Sequence, residues 1–195
     1  MAGPAGAPMK VSYSAQEWCG HVYAQLVFNA GSARQTLHSY FDGEADQQNR
    51  LDYPADGIAE DALWFWARGW AGPALESGGS ASVKLLMSLA ASRTRHEPLA
   101  WNPATLSRSA ASEQISVPAG TFVVERRTAE VEGGTSRTFY VEAAAPHRII
   151  RWETSDGEQA EMLAGERLQY WKMNGPEFVG ALEKLGLSPR PARTP

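Results

Sequence analysis

One cysteine, Cys19, in 195 residues excludes an internal disulfide framework and a cysteine-built zinc site. No apolar run approaches the length that spans a bilayer. The opening "MAGPAGAPMKVS" has no apolar signal core, and "AQEWC" does not fit a lipobox. Membrane association is therefore expected only through an anchor outside this chain. Long basic runs are missing and the net charge is −4, so nucleic acid is not an expected partner. There is no glycine-rich phosphate loop, no Gly-x-Ser-x-Gly elbow and no His-Glu-x-x-His pair, and no cofactor is expected.

What is present is a substantial apolar share, 43%, with seven tryptophans, enough for a real core. Charge is uneven: residues 1–80 hold 4 basic and 9 acidic groups, whereas the remainder holds 14 and 13. Residues 1–9 are Ala/Gly/Pro-rich and read as a flexible lead, and 188–195, "SPRPARTP", as a disordered tail. Nothing between them looks like a linker, so 10–187 are expected to form one β-rich domain.

Residues 10–28 read as one strand. Trp18, Val22, Ala24, Leu26 and Phe28 share a parity, with Glu17, Cys19, His21, Tyr23 and Gln25 on the other. "NAGSA" turns the chain into a second strand, "RQTLHSYF". The segment 58–70, "IAEDALWFWARGW", has Leu63, Trp66, Ala67 and Trp70 at helical spacing, which reads first as a core-packing stripe. "SVKLLMSL", "EQISV", "PAGTFVVERRTAEV", "TSRTFYVEA", "HRIIRWET", "EQAEML" and "ERLQYWKM" read as further strands, and "PEFVGALEKLG" as a short C-terminal helix. The fold class is mainly β (α+β). The expectation is a large antiparallel sheet curled as a half-barrel around one Trp-rich helix.

The hairpin brings chemistry to one face. Opposed residues must sum to an odd number, and 61 or 63 suits the turn. In the first register Cys19 faces Asp42 and His21 faces Tyr40; in the second His21 faces Asp42 and Cys19 faces Glu44. Either one gathers Glu17, Cys19, His21, Tyr40, Asp42 and Glu44. Cys19, His21 and Asp42 are then weak catalytic candidates, and His21, Asp42 and Glu44 weak metal ligands. Residues i and i+2 on a strand lie roughly 6 to 7 Å apart, too far for His21 to activate Cys19 directly. A polar strand face is the simpler reading.

The block "VPAGTFVVERRTAEVEGGTSRTFYVEAAAPHRIIRWETSDGE" (117–158) resembles bacterial exported proteins with a half-barrel sheet. They are similar to the uncharacterised DUF3108-type group, whose sheet is like that of the lipoprotein carriers LolA and LolB. "QEWCGHVYAQL" with "SYFDGEADQ" resembles a set of bacterial lipoproteins of the same kind. The resemblance implies a periplasmic or outer-membrane-associated protein. It also implies a groove between sheet and helix for a lipid or other hydrophobic molecule, lined by Leu63, Trp66, Trp70, Trp152 and Trp171. An enzyme or metal site on the Cys19/His21 face, or an envelope scaffold, are the alternatives.

Overall fold

A computed structural model describes residues 8–16 and 18–188. Residues 1–7 of the expected lead, residues 189–195 of the expected tail, and Glu17 lie outside the described residues. The fold is mainly β, 44% strand against 16% helix, and the strands form two open sheets.

The smaller sheet is a four-stranded meander: β1 (Lys10–Gln16), β2 (His21–Asn29), β3 (Ser32–His38) and β4 (Gln47–Asp52). The larger contains β5 (Gly57–Ala59), β6 (Ser80–Leu86), β7 (Trp101–Arg108), β8 (Glu113–Val117), β9 (Gly120–Val131), β10 (Arg137–Glu142), β11 (Ile149–Thr154) and β12 (Gln159–Glu161). Its order is β12-β11-β10-β9-β7-β6-β5, with β8 folded back on β9. Only β5 pairs in parallel, with β6. Neither sheet is closed or strongly curled, which corrects the half-barrel expected from the sequence.

The stretch 10–28 is two strands. Gln16 pairs with His21, so residues 18–20 lie in the turn of a hairpin. Inward residues are odd-numbered before it (Val11, Tyr13, Ala15) and even-numbered after it (Val22, Ala24, Leu26). Trp18, expected to anchor the core, sits at the turn and is 104% exposed. Gly20 adopts φ +154 there, and a Cβ on it would fall 2.6 Å from the Tyr40 ring, so only glycine fits.

The segment 58–70 is not one helix. Ile58 and Ala59 leave in β5, Glu60–Ala62 form a 3-10 turn, and α1 covers only Leu63–Ala67. Gly69, in the left-handed region at φ +78, then ends it, donating its N–H to Trp66 at 2.8 Å. The stripe therefore holds for Leu63, Trp66 and Ala67, all buried, and fails at Trp70, which is 51% exposed. A second helix, α2 (Leu89–Arg95), begins where Ser88 Oγ accepts the Ala91 N–H at 3.2 Å. The expected strand 166–173 has only a 3-10 turn at Tyr170–Lys172, and Pro176–Leu185 is 3-10 with no buried residue.

Two apolar clusters result. One lies between α1 and the larger sheet, around Trp66, Leu85, Leu106 and Phe139. Trp66 and Phe139 are fully buried; truncating such a residue to Ala costs about 3–5 kcal/mol. The other joins the smaller sheet to the start of α2 through Leu26, Leu37, Leu86 and Leu89. Phe28 packs against both. Among the described residues no helix is long and apolar enough to cross a membrane.

Candidate functional site

The polar cluster expected at the first hairpin is dispersed. The β2–β3 pairing follows the sum of 61, as in Tyr23↔His38, but the ladder stops there. Cys19 is exposed in the preceding turn. His21 hydrogen-bonds Ser14 Oγ at 2.8 Å through Nε2. Asp42 is exposed in the loop after β3. Glu44 is taken by α2: Arg93 Nη1 donates to it at 2.9 Å, and His96 Nδ1 lies 3.1 Å from its other oxygen. No group of three His, Cys, Asp or Glu among the described residues is arranged to hold a metal.

The five residues expected to line an apolar groove do not share one. Leu63 and Trp66 are core, 1% and 0% exposed. Trp152, on β11, stands edge-on to Trp64 at 5.6 Å, with Arg137 over both rings. Trp171 is 60% exposed in the 3-10 turn near the C-terminus. Trp70 alone borders an opening in the layer between α1 and the larger sheet.

That opening is a cleft of about 340 Å³. Its walls are the chain leaving α1 (Ala67 to Trp70), the ends of β7 and β10, the middle of β9 at Glu125 and Arg127, and the β10–β11 turn at His147. Two arginines hold the walls in place. Arg68 stacks 3.7 Å from the Trp70 ring centre, and its Nε and Nη2 donate to the carbonyls of His147 and Pro146 at 3.0 and 3.1 Å. Arg108 grips Glu125 with two bonds of 3.0 Å while its Nη1 donates to the Leu75 carbonyl at 2.9 Å. Arg68 thus ties α1 to the β10–β11 turn, and Arg108 ties the chain after α1 to the sheet. His147 Nδ1 lies 3.1 Å from the Glu142 carbonyl; an oxygen of that kind only accepts, so Nδ1 carries the proton. Both oxygens of the Glu142 carboxylate receive Arg148 at 2.8 Å, which holds its pKa below the ordinary carboxylate range.

The third arginine is different. Arg127 faces Arg108 directly across the β7–β9 ladder and faces buried Phe139 across β10. It is half-buried on the covered side of the sheet, two residues beyond Glu125 on the same strand face. Its Nε is buried with no hydrogen-bond partner among the described residues, as are those of Arg93, Arg137 and Arg151, but Arg127 alone of these has no acid or carbonyl at its other nitrogens. Burial, then the charge of Arg108, pull its pKa below the ordinary arginine value, with Glu125 opposing. Every other described arginine that is not exposed has an acid or a carbonyl: Arg68 has two carbonyls, Arg93 has Glu44, Arg108 has Glu125, Arg137 has Glu60, Arg148 has Glu142 and Arg151 has Glu153.

On sequence alone the Arg/Glu alternation at 125–132 reads as a solvated strand face in preference to an anion site, so Arg127 is set aside there. The available signal was parity. Arg127 shares its side with Ala129 and Val131, apolar residues of the covered face, while Arg126 and Glu130 point to the exposed one.

No family model matches this chain, and no curated protein or solved structure matches it either. The comparisons neither add to nor subtract from the resemblance of the 117–158 block to the DUF3108-type group.

Proposed function

We propose that this chain is a binding domain, not an enzyme, and that it takes a small molecule with an apolar or aromatic part in the cleft at the end of α1. One observation carries the reading. The layer between α1 and the larger sheet is packed solid from Ile58 to Ala67 and opens just beyond, where Trp70 stands half-exposed on the wall. The opening has the features of a ligand site. Its size lies near the lower end of the range for small-molecule pockets, roughly 300 to 1,000 Å³. Ala67, Val141 and Ala143 give it an apolar wall beside the Trp70 ring. Its shape is held by hydrogen bonds from Arg68 and Arg108, so a ligand would meet walls already in place.

The ligand differs from the one implied by the resemblance. A groove wide enough for a lipid chain along the helix would need the faces of Leu63 and Trp66, which the core occupies. A compact molecule seated on Trp70 fits better.

The test is a binding screen on the purified chain. Native mass spectrometry and calorimetric titration against small aromatic and aliphatic compounds should find binders. Trp70→Ala should weaken them at least ten-fold with the thermal midpoint unchanged. Binders that ignore Trp70→Ala, or a screen with none, would overturn the reading.

A further inference from the structure

We propose that this cleft is an oxyanion site anchored by Arg127, and that its ligand is a small organic acid, carried as a carboxylate or a phosphate ester. The inference rests on the reading of the cleft as a binding site and names the chemistry that the ligand must bring.

The argument is one of charge left over. Moving a guanidinium out of water is costly unless it is paired and hydrogen-bonded. Of the seven described arginines that are not exposed, four are both paired and hydrogen-bonded, Arg68 is hydrogen-bonded to two carbonyls and Arg137 has Glu60 at 3.6 Å; Arg127 has neither an acid nor a hydrogen bond among the described residues. The local surroundings deepen the deficit. The residue directly opposite is another arginine, and like charges opposed across a ladder repel. The one acid at hand, Glu125, already has both oxygens bonded to Arg108. Arg127 lines the cleft, and the Nη donors of its guanidinium are the groups left to meet a carboxylate or phosphate oxygen there. Arg68, stacked on Trp70, brings a second positive charge to the same opening. A ligand with an acid at one end and a flat or apolar body at the other would meet Arg127 and the Trp70 wall together.

Calorimetry on the whole chain with four probes tests this: benzoate, phenyl phosphate, inorganic phosphate and benzyl alcohol. Benzoate or phenyl phosphate should bind at least ten-fold tighter than benzyl alcohol. Arg127→Met, which keeps the apolar stem, should erase that preference while leaving benzyl alcohol binding and the thermal midpoint unaltered or the midpoint raised. Arg127→Lys should keep part of the preference. A stronger benzoate signal assigns a carboxylate ligand. A stronger signal from phenyl phosphate, with inorganic phosphate also binding, assigns a phosphate. Equal binding of benzoate and benzyl alcohol would leave the cleft standing and sink the oxyanion proposal. So would an unchanged preference in Arg127→Met, or a midpoint lowered by several degrees, which would make Arg127 a structural residue. Binding of no probe would overturn both readings.

Discussion

Arg93 is buried and Arg127 half-buried, and the protein treats them in opposite ways. Arg93, on α2, is 8% exposed and gives its donors to Glu44, to Ser92 Oγ and to the Glu97 carbonyl. That set ties the loop after β3, which leaves the smaller sheet, to α2, which follows β6 of the larger one. Arg127 has comparable chemistry and no such company. A buried charge that closes a network belongs to the stability of the fold. One left open represents stability given up, and such local conflicts concentrate where a protein binds something.

Breaking the closed network should have the largest effect. Arg93→Met leaves the Glu44 carboxylate, 22% exposed, with His96 as its remaining described partner, and a loss of about 2–4 kcal/mol is expected, between exposed and fully buried pairs. Urea unfolding should show the midpoint falling with little change in slope; a shift under 1 kcal/mol would mean that Arg93 is no tie.

Glu125→Gln turns the comparison around by releasing Arg108. Two unpaired arginines then face each other across the β7–β9 ladder, and a loss of about 1–3 kcal/mol is expected by the same denaturation. Binding of benzoate should tighten, since a competing carboxylate is gone. Weaker binding would show that Glu125 orients Arg127 instead of shielding the site.

A third contrast is in pH. The folded-state pKa of Glu142 is depressed, chiefly by its hydrogen bonds from Arg148. Its contribution is present above the ordinary carboxylate pKa and is lost as pH falls through the folded value. Thermal midpoints should therefore decline on the acid side, and Glu142→Gln should flatten that decline. An identical acid slope in the variant would remove Glu142 from the explanation.

The smallest effect belongs to His96, whose contact with Glu44 is open to solvent. His96→Ala should change stability by less than about 1 kcal/mol, as exposed ion pairs do. A larger loss would mean that the Phe41 ring, 4.3 Å from His96 and edge-on to it, contributes to the tie.

Much of the strand pattern was legible in the sequence, because period-two alternation reports the covered face directly. Val22, Ala24 and Leu26 against Ala33 and Leu37 fixed the hairpin's parity, and the register follows one of the two alternatives. The Gly-Gly pair at 133–134 and Asp156-Gly157 mark turns in the sequence, and Gly133 and Gly157 stand at positive φ between β9 and β10 and between β11 and β12. The turn at 18–20 was hidden because Trp18 continued the even-numbered apolar set. The switch from Val11, Tyr13 and Ala15 to Val22 and Ala24 was the evidence against one strand. The helix at 58–70 was overestimated because spacing cannot register that Ile58 and Ala59 are drawn into a parallel pair with β6. α2 was missed because its cap Ser88 and first residue Leu89 read as the end of the strand "SVKLLMSL". The candidate site was legible only at Trp70. Arg127 becomes notable once its partners, and the lack of an acid among them, are known in space.

The turn that carries Trp18 and Cys19 has a practical consequence. Cys19 is the chain's only thiol, it is exposed, and the β1–β2 ladder closes at Gln16 and His21 without it. A maleimide dye or spin label will therefore attach once per molecule, at a hairpin tip away from both cores. The native sequence already supplies the handle that a titration by fluorescence or distance measurement would otherwise have to engineer.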